Sequence, residues 1–332
     1  MGLNILALAE SVNHVCCRYR IRAFQPLWEA AGHRLTVVAL GDSLRQHWRA
    51  LGEAGDFDAV ILQRKLLSRW EVQRLRKRAR RLIFDFDDAV WLRDSYSAKG
   101  FDSPKRSRRF RRIVEACDWI VTGNRYLGEY AGKFIDTANI VAIPTCVDSA
   151  KYSLAKHDRP AGNVKLAWLG SSSTLQGIEL QRELFDRVAE ALPQATFKVI
   201  CDRFPEFAKM PVETVPWNEA TEAAALADAD IGIGWVPDDP WSRGKCGLKL
   251  LQYQAAGLAV IANPVGVQSE IVRTGETGML ATTAEEWLRE IVDLAYHPEH
   301  RRRLGACGRA NVEAKFSVAA GAGAWLELFA RL

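Results

Sequence analysis

The chain has no run of about 18 uncharged apolar residues, so no segment reads as a membrane-spanning helix. Its apolar start, MGLNILALAE, lacks a basic lead-in and a small-residue cleavage site. It reads as a first β-strand and not as a signal peptide, which points to a cytoplasmic protein. No CxxC pair and no Cys/His ligand spacing is present. The cysteines stand singly (Cys117, Cys146, Cys201, Cys246, Cys307) or as the adjacent Cys16-Cys17, and read as small buried hydrophobes. The first strand runs into ALAESVNH without a GxGxxG turn, which excludes a nicotinamide-dependent dehydrogenase. Internal repeats and low-complexity tracts are also missing, so a solenoid is excluded.

What is present is a globular composition, 48% hydrophobic and 26% charged, over 332 residues. That length suits two domains. The net charge of +5 hides an asymmetry: residues 1–150 carry 25 Lys and Arg against 17 Asp and Glu, whereas residues 151–332 carry 20 against 23. A basic first half should face something anionic, a phosphorylated acceptor or an acidic membrane surface. The stretch SPKRSRRFRRIV, residues 103–114, sets six cations around Phe110 on a helix and suits docking to acidic lipid headgroups, or is a solvated face. The RKRARR stretch at 76–81 reads as helix surface. No nucleic-acid motif accompanies this charge, so nucleic acid is not the expected partner.

Short apolar or β-branched runs alternate with helical patterns along the chain. Strands are expected at Asn4–Ala9, Arg34–Leu40, Ala59–Gln63, Arg81–Asp85, Trp119–Thr122 and Ile140–Ile143 in the first half. In the second they are expected at Lys165–Leu169, Thr196–Ile200, Glu213–Val215, Ile231–Trp235, Ala259–Ala262 and Met279–Ala281. Helical patterns cover Ile21–Ala31, Trp70–Ala79, Arg106–Ala116, Glu179–Ala191, Glu219–Ala227, Gly247–Ala256 and Ala284–Tyr296. Continuous apolar runs separated by helices indicate α/β architecture with parallel sheets covered on both faces. Two such sets imply two doubly wound, Rossmann-like domains facing a cleft. The expected division is 1–150 for a first domain, 164–312 for a second, and a helix at 313–332 crossing back to the first.

Ligands in open parallel sheets sit beyond the carboxyl ends of strands, where the next helix begins. Three junctions attract attention. In WLGSSST, residues 168–174, Gly170 and Ser171 allow backbone amides and hydroxyls to approach phosphate, or form a plain turn. In DIGIGWVPDDPWSRGKCGLKLLQYQAAGLAVIANPVGVQSEIV, the loop gathers Arg243 and Lys245, and Lys249 follows one turn into a helix opening at Gly247-Leu248. Unbonded amides, the positive end of the helix dipole and cationic side chains together suit a diphosphate. In RLIFDFDDAVWL, residues 81–92, Asp85, Asp87 and Asp88 crowd at a strand end. Such crowding is costly and points to a function or a nearby cation, with helix capping as the plainer reading.

The second junction resembles the C-terminal signature of retaining family 4 (group 1) glycosyltransferases, which have the GT-B architecture. The residues that carry the resemblance are Gln252-Tyr253-Gln254-Ala255-Ala256-Gly257-Leu258-Ala259-Val260-Ile261, then Gly266, Glu270-Ile271-Val272, Thr277-Gly278-Met279-Leu280 and Phe316-Ser317. It covers residues 165–332 well and the first half in outline.

The resemblance implies metal-independent transfer of a sugar, with retention of configuration, from a nucleoside-diphosphate sugar to a hydroxyl on a carbohydrate or lipid-linked acceptor. No cofactor or metal is expected beyond the donor. It implies diphosphate contacts from Arg243, Lys245, Lys249, Gly247 and Leu248, ribose contact from Gln252, and base contacts near Val215 and Trp217. Asp87 or Asp88 would face the reacting carbon. The family's two Glu positions are occupied here by Gly244 and Gln252, so Asp238 or Asp239 is the candidate for the donor sugar. A protein that binds the donor without transferring it is the rival reading. Where family members have a Gly-Gly turn, this chain has ESVNHVCCRYRIRAF, and Arg18, Arg20 and His14 become acceptor candidates, or a charged helix start and an ordinary histidine.

Overall fold

The computed structural model describes residues 2–40 and 43–332. The chain divides into two compact units, each crossed by more than one stretch of sequence. The first comprises Met1–Cys146, Asp239–Cys246 and Val318–Leu332; the second comprises Val147–Asp238 and Gly247–Ser317.

In the first unit, β1 (Asn4–Ala9), β2 (Arg34–Ala39), β3 (Ala59–Gln63), β4 (Leu82–Phe86), β5 (Trp119–Thr122) and β6 (Ile140–Ala142) form one sheet. Its order is β2-β1-β3-β4-β5-β6 and every pairing is parallel. β3 and β4 are buried at every residue, as apolar strands covered on both faces must be, whereas edge strand β2 alternates. The helices are α1 (Val15–Arg20), α2 (Gln25–Ala30), α3 (Leu44–Glu53), α4 (Arg69–Arg78), α5 (Pro104–Ala116) and α6 (Arg125–Ala131). Their starts are written in the sequence: Ser68 and Glu71 make a capping box on α4, Ser103 caps α5 ahead of Pro104, and Asn124 caps α6.

The single helix expected over Ile21–Ala31 is instead a broken element. α1 ends at Arg20 with Ile21 as its C-cap, a 3-10 turn spans Arg22–Phe24, and α2 restarts with Pro26 in its first turn. Proline has no N–H to continue a helix and is tolerated only near its start.

The second unit holds β7 (Lys165–Leu169), β8 (Thr196–Cys201), β9 (Val212–Pro216), β10 (Ile231–Gly234), β11 (Ala259–Ala262) and β12 (Met279–Leu280). Their order, β12-β11-β10-β7-β8-β9, is again all parallel. Its helices are α7 (Ser172–Glu179), α8 (Arg182–Ala191), α9 (Glu222–Ala227), α10 (Leu248–Ala255), α11 (Gln268–Ile271), α12 (Ala284–Tyr296) and α13 (Pro298–Lys315). The helix expected over Glu179–Ala191 is α8 from Arg182 onward, and Glu179 is instead the last residue of α7, which starts at Ser172. α13 lies close against α10 through two glycines: a Cβ at Gly305 would sit 2.0 Å from the Gly257 carbonyl oxygen, and one at Gly308 2.9 Å from Gln254.

The last helix, α14 (Val318–Phe329), belongs to the first unit. Trp325 and Phe329 pack edge-on against Trp28 of α2, with ring centroids 5.3 and 5.0 Å apart. The three rings are buried, and aromatic pairs of this kind add about 0.5–1.5 kcal/mol beyond their area burial. The seven cysteines are free thiols, five of them buried. Among the described residues, no helix is long and apolar enough to cross a membrane.

Candidate functional site

In the first unit the chemistry collects after β3 and β4 and along the loop 239–246. β4 ends at Phe86, so Asp87 and Asp88 leave the sheet together. Asp88 lies between two cations: its Oδ1 is 3.0 Å from Lys245 Nζ and its Oδ2 is 2.5 Å from an Arg64 guanidinium nitrogen. Burial opposes the Asp88 charge, but Lys245 and Arg64 overcome it and hold the carboxyl below its ordinary value. Asp87 has a looser contact, 3.4 Å to Arg64. Arg64 itself sits at φ 60°, an uncommon conformation for a residue with a side chain, immediately after β3.

Arg20 is not available to an acceptor. It is 1% exposed, and its Nε donates to both Asp85 oxygens at 3.1 and 3.0 Å while a terminal nitrogen donates to the Ile143 carbonyl at 3.0 Å. Burial works against the guanidinium, and the Asp85 carboxylate outweighs it, raising its pKa further above neutrality. An arginine in sequence reads as surface; here a fully buried carboxylate draws it under the sheet edge. His14 serves as the N-cap of α1, its Nδ1 accepting from the Cys16 amide at 3.3 Å. Arg18 is half-buried with its guanidinium 5.4 Å from the Tyr19 ring centroid.

The loop 239–246, inside the span 164–312 expected as the second domain, sits in the first unit. Asn124 Nδ2 donates to the Gly244 and Lys245 carbonyls at 3.1 Å each, and Cys246 Sγ donates to the Asp87 carbonyl at 3.1 Å. Trp241 is buried in that unit's core. Asp239 accepts from the Ser242 amide at 2.7 Å, and Asp238 and Arg243 are exposed. Gly244 has a steric reason: a Cβ there would lie 2.8 Å from the Ala89 amide nitrogen and 3.2 Å from Leu127. A glutamate cannot occupy that position without displacing the backbone beside Asp88.

In the second unit, Lys249 and Gly170 meet. Lys249 Nζ lies 4.0 Å from the Trp168 ring centroid and 3.0 Å from Thr174 Oγ1. A Cβ on residue 170 would come within 2.6 Å of that Nζ and 2.4 Å of the Trp168 ring. Gly247, at φ 69°, precedes α10 and offers no side-chain cap, so the backbone at Gly247-Leu248 opens the helix unaided. A side chain is excluded at Gly247 both by φ and by Ile271, 2.3 Å from its would-be Cβ. Ser171 precedes α7, but the start of that helix is partly taken: Asp202 accepts from the Ser172 amide and hydroxyl at 2.7 Å each. These bonds, hydroxyl first, hold the Asp202 carboxyl down to about 2.

Gln252 and Trp217 converge on a residue the sequence reading missed. Glu222 accepts from Trp217 Nε1 at 2.7 Å and from Gln252 Nε2 at 3.2 Å. Val215 lies on edge strand β9, half-buried, and the Trp217 amide donates to the Cys201 carbonyl. Arg64, Thr174 and Asn124 were also missed, although Arg64 is a cation directly after a strand, Thr174 ends the WLGSSST junction and Asn124 is a helix N-cap. Among the described residues, no three His, Cys, Asp or Glu side chains converge as a metal site would require.

Comparison with known proteins gives one class. Residues 179–327 match the family model described as glycosyl transferase-like. No curated protein matches the chain in sequence. Among solved structures, sucrose-phosphate synthase from Thermosynechococcus elongatus superposes with TM-score 0.76 at 16% identity, covering 99% of this chain and 98% of that one. HepE from Anabaena, in complex with UDP and glucose, gives TM-score 0.69 at 15% identity with both chains covered completely. A glycosyltransferase from Rickettsia africae gives TM-score 0.71 at 15% identity, covering 99% and 98%. The two parallel six-stranded sheets are those of the GT-B fold, and the fold and the matched family model together mark a glycosyltransferase.

Proposed function

We propose that the protein transfers a sugar from a nucleoside-diphosphate sugar to a hydroxyl of a carbohydrate or lipid-linked acceptor, with retention of anomeric configuration and without a metal ion. The observation that carries this reading is the meeting of Lys249, Gly170 and the uncapped start of α10 in the second unit. A lysine fixed over a ring, beside a glycine whose missing side chain makes room for that lysine and ring, fits a diphosphate oxygen. Backbone amides at Gly247-Leu248 would add to it. Their joint role is to stabilise the negative charge that builds on the leaving diphosphate as the glycosidic bond breaks.

Asp87 is favoured over Asp88 for the reacting carbon, because two cations already hold Asp88. Asp238 is favoured over Asp239 for the donor sugar, because Asp239 caps its own loop. UDP is the first nucleotide to try, since solved neighbours hold it. We further assign the acceptor side to a cytoplasmic membrane surface, on the strength of the basic face of α5.

A thermal-shift screen of UDP, GDP, ADP, dTDP and CMP, repeated on Lys249→Ala, tests the donor site. One nucleotide should raise the melting temperature, by about 2.7 kcal/mol of linkage at 100-fold excess over Kd, and the variant should lose that response. A wild-type protein that responds to none of them, and hydrolyses or transfers no nucleotide sugar, sinks the proposal.

A further inference from the structure

Glu222 opens α9 and is 6% exposed. Its two oxygens are used on two different side chains: Oε2 accepts from Trp217 Nε1 at 2.7 Å, and Oε1 accepts from Gln252 Nε2 at 3.2 Å. The same Gln252 nitrogen donates to Tyr152 Oη at 3.1 Å. An ionised carboxylate only accepts, so the amide must turn its NH2 group toward Glu222, and its carbonyl oxygen becomes the opposite end. The orientation of Gln252 is therefore set by Glu222. The Trp217 indole is gripped at its nitrogen edge while 43% of the residue remains exposed. Lys249 and Gln252 are three residues apart on α10 and so share a face of that helix. A diphosphate at Lys249 would lead its nucleoside toward Gln252.

We infer that Glu222 is the nucleoside-positioning residue of this protein: from α9 it holds Gln252 for the ribose and Trp217 for the base. It supplies, one helix away, the carboxylate that position 252 lacks. This inference rests on the donor reading above. A core carboxylate with a purely structural role would affect folding and leave nucleoside and phosphate binding in step; a positioning role separates the two.

Isothermal titration of the full chain with inorganic pyrophosphate and with the tightest-binding of UDP, GDP, ADP and dTDP separates phosphate from nucleoside contributions. The variants are Glu222→Gln, Gln252→Glu and the double exchange, which restores one carboxylate facing one amide. Each single variant should weaken the nucleotide by about 10-fold or more, the usual scale for a hydrogen bond to a charged group. Pyrophosphate should stay within about 2-fold, and the double exchange should recover most of the nucleotide affinity. Trp217→Phe removes the indole donor and part of the ring surface at an exposed position and should cost about 3-fold or more, which keeps the test open if a Glu222 variant does not fold.

Folded single variants that bind nucleotide like wild type overturn the inference. So does a parallel loss of pyrophosphate, or a folded double exchange that recovers nothing. A wild-type protein that binds pyrophosphate but no nucleoside diphosphate overturns it while leaving the phosphate site standing. Failure to bind either one removes the donor reading itself.

Discussion

The two units arrange their candidate sites by different physics. In the first, charge answers charge: Arg20 grips Asp85, and Arg64 and Lys245 enclose Asp88, with most of these groups shielded from water. In the second, Lys249 leans on an aromatic face and a hydroxyl, while Glu222 is held by an indole and an amide. A buried ion pair is costly to break because the surviving partner keeps its desolvation penalty. A cation on a ring is worth much less to the fold. The site of the first unit should therefore fail by unfolding, and that of the second by losing ligand.

Arg20→Ala is the sharpest way to break this contrast. It leaves Asp85 buried at 0% exposure without its bidentate partner and should cost ~3–5 kcal/mol of stability in urea unfolding. Lys249→Ala in the second unit should cost no more than ~1 kcal/mol while abolishing the nucleotide response. Equal losses from the two substitutions would erase the distinction.

Asp88→Asn comes next, at about 1.5–3 kcal/mol near pH 7, the scale of hydrogen bonds to a charged group. Its signature is the pH dependence. The folded-state pKa of Asp88 lies below the ordinary 3.8, so its contribution is fully present above that value and is lost as pH falls through the folded pKa. Wild type should therefore lose stability more steeply than Asp88→Asn as pH drops below about 4. Coincident slopes for the two proteins would mean that Lys245 and Arg64 do not stabilise the ionised carboxylate.

Much of this scaffold is legible in the sequence because the strands are. β3, β4, β10 and β11 are buried at every residue, and apart from Gln63 and Asp85 they hold only apolar residues and glycine, bounded by turns. α13 is not legible, since its packing face is built from Gly305 and Gly308, which leave no apolar period to read. α3 and α6 also went unread, each one a helix of ten residues or fewer. The Gly247 helix start and Lys249 could be picked out because local spacing encodes them. The placement of loop 239–246 could not: its anchors, Asp88 and Asn124, lie more than a hundred residues earlier. Glu222 shares no motif with Gln252, thirty residues on, and only the fold brings them together. Arg20 misled for the opposite reason, since nothing local distinguishes a buried arginine from a surface one.

The smallest expected effect on the fold comes from α5, and it sharpens the contrast from outside both sites. Lys105, Arg108, Arg109 and Arg112 recur at helical spacing and line one shallow depression, and among the described residues none of the four has a carboxylate partner. α3, α4 and α5 pack side by side, and the Trp48 and Trp70 rings stand exposed on the first two, 5.7 Å apart, with Arg74 over Trp48. Basic side chains on α5 and exposed tryptophans on α3 and α4 suit an anionic lipid surface, where each basic residue contributes about 1 kcal/mol within a Debye length. Reversing two of them, Arg108→Glu with Arg112→Glu, should change unfolding free energy by no more than ~0.5 kcal/mol, as surface substitutions do. The same change should cut partitioning onto vesicles of phosphatidylglycerol and phosphatidylcholine by about 10-fold or more, and added salt should mimic it. Nucleotide affinity should not move, because Arg108 and Arg112 are not among the residues assigned to the donor. Vesicle binding that survives the reversal, or is absent in wild type, would make α5 a solvated helix face and leave the acceptor of this glycosyltransferase to be sought in solution.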